Sequence, residues 1–322
     1  MAATWAIALA ALCLHVPAQE GSGEPVAPSS DTIEFRWPKD LAAKVEVRVQ
    51  GQRTLPELGT IGWHMSATYD LATEVREFDL LVQRTGFEGW KGELPEGVPF
   101  LADLLVDRIP TLVVSQEGAF RGIEGVVPAR EAIIATFSNI PDSQRFVLEN
   151  ATSEAGLTAM AQDFWGTTVE AWLGFGAATG ESVELRNRTA IPQLGGGALD
   201  LVIQMQNTGP APCPVAGCKA ECIELVLLST PDQDQAEKLI EDLIRKVTSG
   251  LVPVRFELRN EFRLTIEPAT TVPHAMVIGR ETAVDFRDRT GKIWETSESN
   301  ERTYVFDYRQ GTRPTDSAPS DR

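Results

Sequence analysis

The sequence predicts an α+β fold in which one or more curved antiparallel sheets pack against two or three helices. Three observations lead to this fold class. Apolar and polar residues alternate along several stretches, as in strands with one buried and one exposed face. Other stretches repeat apolar residues at helical spacing. The elements follow the order strands, helices, strands, helix, strands, which lacks the strict alternation of a parallel α/β sheet.

The strand pattern is clearest in 44–50, where Val45, Val47 and Val49 share one face. The stretch 62–86 predicts a long strand or a hairpin. Turns at Glu117-Gly118 and Thr290-Gly291 predict two further hairpins. The remaining strand stretches are 110–126, 198–207, 222–229, 253–267 and 282–308, with 198–207 and 222–229 as antiparallel neighbours.

One helix is predicted over 231–250, where apolar residues recur every three or four positions. Thr230 is its predicted N-cap, Pro231 its first residue and Gln233 part of a capping box. Gly250 ends the pattern. A shorter helix is predicted over 129–139.

A second long helix, predicted over 153–175, is rich in aromatic residues. Its candidate ligand-lining side chains are Met160, Phe164, Trp165 and Trp172, which could border a cavity between helix and sheet. The same stripe of apolar residues is also what plain core packing requires. The sequence leaves both interpretations open.

The ends of the chain predict export and four regions. Residues 1–18 form a signal peptide, because they carry no charged side chain and hold an apolar run of about ten residues. Val16 and Ala18 favour cleavage between Ala18 and Gln19. A linker (19–31) and a tail (311–322), both poor in apolar residues, are predicted to be disordered. They flank a globular region, 32–310, of one large domain or two closely packed halves.

The alternative for the N-terminus is a helix of the folded domain. Lipid attachment at Cys13 is not predicted, because the preceding residue must be small and is Leu12. No later stretch is long and apolar enough to cross a bilayer, so we expect no membrane span in the mature chain. The expected location is periplasmic or extracellular.

The net charge of −17 excludes several classes of partner. Nucleic acids and anionic lipid surfaces are bound by neutralisation with lysine and arginine, which an acidic chain without long basic runs does not offer. We therefore predict no nucleic-acid partner.

The sequence predicts no enzyme, no catalytic residue, no cofactor and no metal site. It lacks the sequence motifs of serine hydrolases, zinc proteases and phosphate-binding loops. His64 and His274 each occur singly in a strand pattern, which predicts partly exposed strand histidines. An acidic stretch at 231–238 departs from the spacing of a calcium loop.

Three cysteines, Cys213, Cys218 and Cys222, lie within ten residues. Zinc sites usually have four ligands in paired motifs, and here a fourth would come from Glu221, Glu224 or a distant residue. In an exported protein close cysteines are usually disulfide-bonded. We predict a Cys213–Cys222 bond joining two strands, which is worth about 3 kcal/mol for a loop of roughly ten residues. Cys218 is then the spare thiol, and Cys218–Cys222 is the alternative bond.

The combination of a signal peptide, antiparallel strands, a helix with Trp165 and Trp172, and a cysteine-bearing strand that leads into a helix resembles uncharacterised exported bacterial proteins. More loosely, it resembles the half-barrel carriers of the LolA and LppX type. This resemblance implies a half-barrel-like sheet that wraps around helices and holds acyl chains between them. The resemblance assigns no function to any individual residue.

Three functions follow as hypotheses. The first is a non-enzymatic exported protein that binds a lipid or another apolar small molecule between sheet and helices. The second is a structural or interaction protein of the cell envelope, with a fully packed core and an envelope protein as partner. The third is a hydrolase with dispersed carboxylates, which would need two acidic residues in one cleft.

Overall fold

The computed structural model describes residues 32–56, 59–93, 105, 107–136, 142–176, 178–191, 197–215, 221–238, 241 and 252–308. The predicted signal peptide (1–18), linker (19–31) and tail (311–322) lie outside the described residues. The same holds for Cys13, Cys218 and most of the helix predicted over 231–250.

The described strands form one antiparallel sheet of twelve strands. Their bounds are β1 Ala42–Leu55, β2 Gly59–Arg76, β3 Asp79–Thr85, β4 Lys91–Glu93, β5 Thr111–Ser115, β6 Phe120–Glu124, β7 Ser182–Ile191, β8 Gly197–Ala211, β9 Cys222–Pro231, β10 Val252–Ile266, β11 Pro273–Arg287 and β12 Ile293–Asp307. The spatial order is β6-β5-β3-β2-β1-β12-β11-β10-β9-β8-β7, and β4 pairs with β2. The sheet is therefore open, with β6 and β7 at its edges.

The alternation seen in the sequence sets which face of each strand is buried. On β1, Val45, Val47 and Val49 are fully buried, while Arg48, between two of them, and Gln50, after the last, are exposed. A strand turns successive side chains to opposite faces, so one face of the sheet packs against the core and the other faces solvent. The predicted antiparallel sheet is confirmed, and strands account for more of the protein than an α+β fold suggested.

Three helices and one turn of 3-10 helix have described bounds: α1 Val126–Thr136, α2 Asp142–Ala151, α3 Glu154–Thr168 and the 3-10 turn Glu170–Trp172. The Ser153 side chain caps α3 by accepting a hydrogen bond from the Gly156 backbone N–H at 3.1 Å. The predicted helix over 153–175 is thus α3 followed by the 3-10 turn. None of the helices in the described residues is long and apolar enough to cross a membrane.

The helix predicted over 231–250 begins later than its capping pattern suggested. Thr230 and Pro231 belong to β9, where they pair with β8. The N-cap is Asp232, whose Oδ1 accepts a hydrogen bond from the Gln235 backbone N–H at 3.1 Å. The β8–β9 ladder explains the difference, because its backbone hydrogen bonds hold residues 230 and 231 in the sheet. Residues 233–238 and 241 are helical.

Helix α3 packs against the buried face of the sheet. Ala161, Trp165 and Val169 belong to the main core together with residues from β1, β2 and β8 to β12. A smaller cluster, made of Leu105, Ile133, Leu148 and Leu157, lies among the helices. The aromatic helix α3 is therefore held between the sheet and the helical layer.

Among the described residues, two ion pairs lie largely inside the protein. The Asp107 carboxylate and the Arg302 guanidinium are 3.4 Å apart, and both side chains are buried. Arg302 also donates to the Tyr304 hydroxyl at 3.2 Å. Arg53 is likewise buried and donates through Nε to Glu298 at 2.9 Å. Removal of one partner from such a pair leaves an uncompensated buried charge, so we expect each pair to be sensitive to substitution.

Candidate functional site

The predicted ligand-lining residues lie where helix α3 meets the sheet. Trp165 and Trp172 are buried, and Met160 and Phe164 pack against the same core with partial exposure. Trp165 donates from Nε1 to the Gly118 carbonyl at 2.7 Å. Trp172 stacks on Phe262 of β10, with ring centroids 6.1 Å apart. All four side chains therefore contribute to core packing, which was the second interpretation of this stripe.

The space between this helix and the sheet is almost filled. A cavity at this place has a volume of about 30 Å³, and Phe164 and Trp165 are among its lining residues. Met160 and Trp172 do not line it. Such a volume holds about one water molecule, whereas ligand pockets measure about 300–1,000 Å³. In this arrangement the cavity has no room for an acyl chain.

Residues that the helical pattern could not reveal fill this space. Phe35 and Trp37, from the segment before β1, make edge contacts with the Trp165 ring at centroid distances of 5.9 and 5.4 Å. Arg84 of β3 lies over the Phe164 ring at 4.4 Å. These side chains are at least 70 residues from α3 in sequence, so only the tertiary fold brings them to it.

A larger depression, of about 880 Å³, crosses the middle of β1, β2, β11 and β12. The strand register places most of its polar side chains on the solvent-facing side of the sheet, because Gln50 pairs with His64 and Glu301, and Gln52 pairs with Ser299. Asn300, which also lines it, pairs with Gly51 and Arg280 and lies on the opposite face. Glu281 pairs with Ser299 on the solvent-facing side. A neighbouring depression of about 520 Å³ shares Gln52, Glu281 and Ser299 with it. We call the two together the polar depression.

Two glycines help to form the floor of the polar depression. Gly62 pairs with Gln52, and Gly279 pairs with Glu301. A Cβ atom added at Gly62 would come no closer than 3.7 Å to another heavy atom, and one added at Gly279 no closer than 3.8 Å. Both are ordinary contact distances, so neither packing nor a left-handed backbone requires glycine here.

Gly51 behaves differently, although it also borders the depression. A Cβ atom there would collide with the Trp63 ring and lie 2.8 Å from the Ser299 carbonyl oxygen. Glycine is needed at position 51 because the Trp63 ring lies so close to the backbone there. In an extended strand interior glycine costs about 0.5–1 kcal/mol relative to alanine. At Gly62 and Gly279 this cost is not offset by packing. The visible effect of these two glycines is to leave the depression open.

The polar depression is lined by amide, hydroxyl, imidazole, guanidinium and carboxylate groups. Gln50 donates from Nε2 to Glu301 Oε1 at 2.8 Å, which fixes one amide in place. Its four lining carboxylates, from Glu257, Glu281, Glu298 and Glu301, outnumber the two lining guanidinium groups of Arg259 and Arg280, in a chain whose net charge is −17. Such a surface attracts neutral polar or cationic groups and repels anions.

The cysteines differ from the predicted pairing. Cys222 is a free cysteine, so the predicted Cys213–Cys222 bond is not formed. Cys222 is the first residue of β9 and pairs with Ala211, whereas Cys213 lies beyond the end of β8 and is not directly opposite it. Cys213 is disulfide-bonded. The alternative bond involving Cys218 lies outside the described residues.

His274 joins these two cysteines from the second position of β11. Its Nδ1 is 3.5 Å from Cys213 Sγ, and the Sγ atoms of Cys213 and Cys222 and one ring nitrogen of His274 all lie within 4.8 Å of one another. His274 is only 6% exposed, so the expectation of a partly exposed histidine is wrong for this residue. Burial lowers the pKa of His274 and raises that of Cys222. His64, by contrast, is exposed on β2, in the polar depression.

The comparisons with known proteins show no family for this chain. No family model and no curated protein sequence matches it. Among solved structures, a lipovitellin structure described for its lipid–protein interactions matches 84% of this chain at 9% identity and a TM-score of 0.39. The chain spans 25% of lipovitellin. DynF from the dynemicin pathway of Micromonospora chersina matches 89% of this chain and 92% of its own at 8% identity, with a TM-score of 0.17. Likeness at these scores carries no argument about function.

Proposed function

We propose that this protein is an exported, non-enzymatic binding module of the periplasm or cell exterior, with a filled core and a polar ligand site in the depression on the sheet. This function makes the protein an interaction protein of the cell envelope. The observation that carries the proposal is the contrast between the two spaces. The apolar cavity measures about 30 Å³, while the polar depression offers about 880 Å³ in its larger part alone.

The two glycines of the floor support the same function. Side chains at Gly62 and Gly279 would meet no close neighbour, so a sheet selected for stability alone would gain from them. Their absence keeps the depression deep enough for a ligand to reach the strand backbone. The lining carboxylates favour ligands that present hydroxyl, amide or amine groups.

The test uses a variant in which the floor is filled. Gly62→Gln with Gly279→Gln places two side chains in the depression while leaving both strands unstrained. Arg48→Gln is the matched control, because Arg48 lies on the exposed face of β1 but does not line the depression. Binding is measured by ligand-observed NMR against neutral oligosaccharides, lysine-containing peptides and glutamate-containing peptides.

We expect the wild type and Arg48→Gln to bind at least one neutral or cationic probe, with affinity at least about tenfold lower in the filled variant. The glutamate-containing peptides should not bind. Equal binding by the filled variant, or no binding of any neutral or cationic probe, would contradict the proposal.

A lipid or other apolar ligand between sheet and helices is the second candidate. It is favoured by the apolar lining of the small cavity, which lies at the predicted place beside Phe164 and Trp165. Such a ligand would require α3 to move away from the sheet. Native mass spectrometry of the gently purified protein decides the point, because a carrier retains a bound lipid mass and a protein with a filled core does not.

A further inference from the structure

The cluster of Cys213, Cys222 and His274 has the ligand types of a metal site. Thiolate and imidazole are the side chains that bind zinc most often in proteins. The residues come from three places along the chain: the segment after β8, the start of β9 and the start of β11. Cys222 and His274 are 3% and 6% exposed, and Cys213 is half-buried. A metal ion could therefore reach the cluster from the Cys213 side.

The separations in the cluster fit a tetrahedral zinc ion. Zinc lies about 2.3 Å from sulfur and about 2.0–2.1 Å from nitrogen, so a sulfur and a nitrogen bound to one tetrahedral ion are about 3.5 Å apart. The distance from Cys213 Sγ to His274 Nδ1 is 3.5 Å. The Cys222 sulfur lies within 4.8 Å of both other ligand atoms. Two sulfurs on one zinc ion are about 3.8 Å apart, so the cluster needs to contract by only about an ångström.

The surroundings hold the imidazole and favour a cation. The His274 ring meets the Tyr308 ring edge to face, with centroids 5.3 Å apart. Tyr308 donates its hydroxyl hydrogen bond to the Pro273 carbonyl at 2.5 Å, which anchors it to the residue before His274. The Glu267 carboxylate is close enough to act electrostatically on both Cys222 and His274. A negative charge at this position stabilises a bound metal ion.

We propose that Cys213, Cys222 and His274 form a zinc site that opens when the disulfide bond of Cys213 is reduced. A dithiol reductant supplies the two electrons and two protons. The sulfur–sulfur bond breaks, Cys213 and its former partner become thiols, and the dithiol becomes a disulfide. Cys213 and Cys222 each release a proton to solvent as they bind zinc. Water occupies the fourth ligand position.

This inference goes beyond the proposed function and is independent of it, because the polar depression contains none of the three residues. It also departs from the sequence interpretation, which predicted no metal site because the cysteines lack paired zinc-ligand spacing and have no histidine near them in sequence. The site is closed in the disulfide-bonded form and available in the reduced form. Zinc occupancy therefore reports the redox state of Cys213.

The experiment uses the full chain, freed of metal with a chelator and divided into a phosphine-reduced and an oxidised sample. Zinc affinity is measured by competition with a chromophoric chelator. Cobalt(II) serves as a spectroscopic substitute, because thiolate-to-cobalt charge transfer and intense d–d bands report a tetrahedral site with sulfur ligands. We expect the reduced sample to bind one zinc ion per chain and the oxidised sample to bind at least about tenfold more weakly.

Cys222→Ser and His274→Gln should each weaken zinc binding by at least about tenfold, since loss of even a supporting residue costs 10–100-fold. His64→Gln is the matched control and should bind as the wild type does. No zinc binding by the reduced wild type, or equal affinity of His274→Gln and His64→Gln, overturns the proposal. The cobalt spectrum of the wild type decides independently of whether any variant folds. A spectrum without thiolate charge transfer also overturns it.

Discussion

At the residue scale, Asp288 shows how one side chain can define a turn. It follows β11, and four hydrogen bonds converge on its carboxylate. The Thr290 hydroxyl and backbone N–H donate to Oδ1 at 2.6 and 2.8 Å, the Lys292 backbone N–H donates to Oδ1 at 3.0 Å, and Trp294 Nε1 donates to Oδ2 at 3.0 Å. These donors stabilise the charged form, and together they lower the pKa of Asp288 to about 2.

The low pKa predicts how this turn responds to acid. The pKa of Asp288 is lower than its value in the unfolded chain, where the pKa of aspartate is about 3.9. Its contribution to stability is therefore fully present above about pH 4 and is lost as the pH falls towards 2. We expect Asp288→Asn to lower the melting temperature at neutral pH, and the difference from the wild type to shrink between pH 4 and pH 2.

Two measurements check this prediction: thermal melts across that pH range and carboxyl-carbon NMR of Asp288. Asp285→Asn provides a comparison, since Asp285 lies on β11 outside the turn and its carboxylate is 3.8 Å from Arg255. A carboxyl group at position 288 that titrates near pH 4 would contradict the role given to these hydrogen bonds.

At the scale of elements, the helix that begins at residue 233 has a different N-cap from the one predicted. The Asp232 side chain accepts from the Gln235 backbone N–H, and the Gln235 side chain in turn donates to Asp200 Oδ2 at 2.7 Å. Loss of an N-cap costs about 1 kcal/mol. We expect Asp232→Ala to lower the free energy of unfolding in urea by about that amount.

Thr230→Ala is the control for this cap, because Thr230 is an exposed residue of β9. Its substitution should change stability by no more than about 0.5 kcal/mol. If Thr230→Ala lowers the free energy of unfolding more than Asp232→Ala does, the N-cap is Thr230, as the sequence predicted, and not Asp232.

The elements also show what the sequence could predict. Alternation and turn residues located β1, β10, the β5–β6 hairpin and the turn at Thr290-Gly291, because these signals are local. β7 was missed, since it is an edge strand with few apolar residues, and so was α2, which has only ten residues. Local pattern carries less information where an element is short or lies at an edge.

The candidate sites were less predictable, since they depend on distant contacts. The stripe on α3 was found, but Phe35 and Trp37, which help to fill the space beside Trp165, come from the segment before β1. His274 lies 61 residues after Cys213 and reaches it only because β8, β9, β10 and β11 are consecutive in the sheet. The polar depression likewise needs the register of four strands. Sheet order was not available from periodicity.

At the scale of the whole molecule, β12 joins the two parts of the sheet. It pairs with β1 on one side and with β11 on the other, so the last described strand sits near the middle. It also supplies the buried residues Arg302, Tyr304 and Phe306. Without β12, the order β6-β5-β3-β2-β1 and the order β11-β10-β9-β8-β7 would no longer be joined by a strand.

This position predicts that the described sheet folds as one unit. We expect deletion of residues 293–322 to abolish the native near-ultraviolet circular dichroism, because it exposes two long strand edges and leaves Asp107 without Arg302. Deletion of residues 311–322 alone, which follow β12, should leave the spectrum and the cooperative thermal transition unchanged. If the longer deletion retains a cooperative transition, the two parts fold independently and the chain consists of two packed halves.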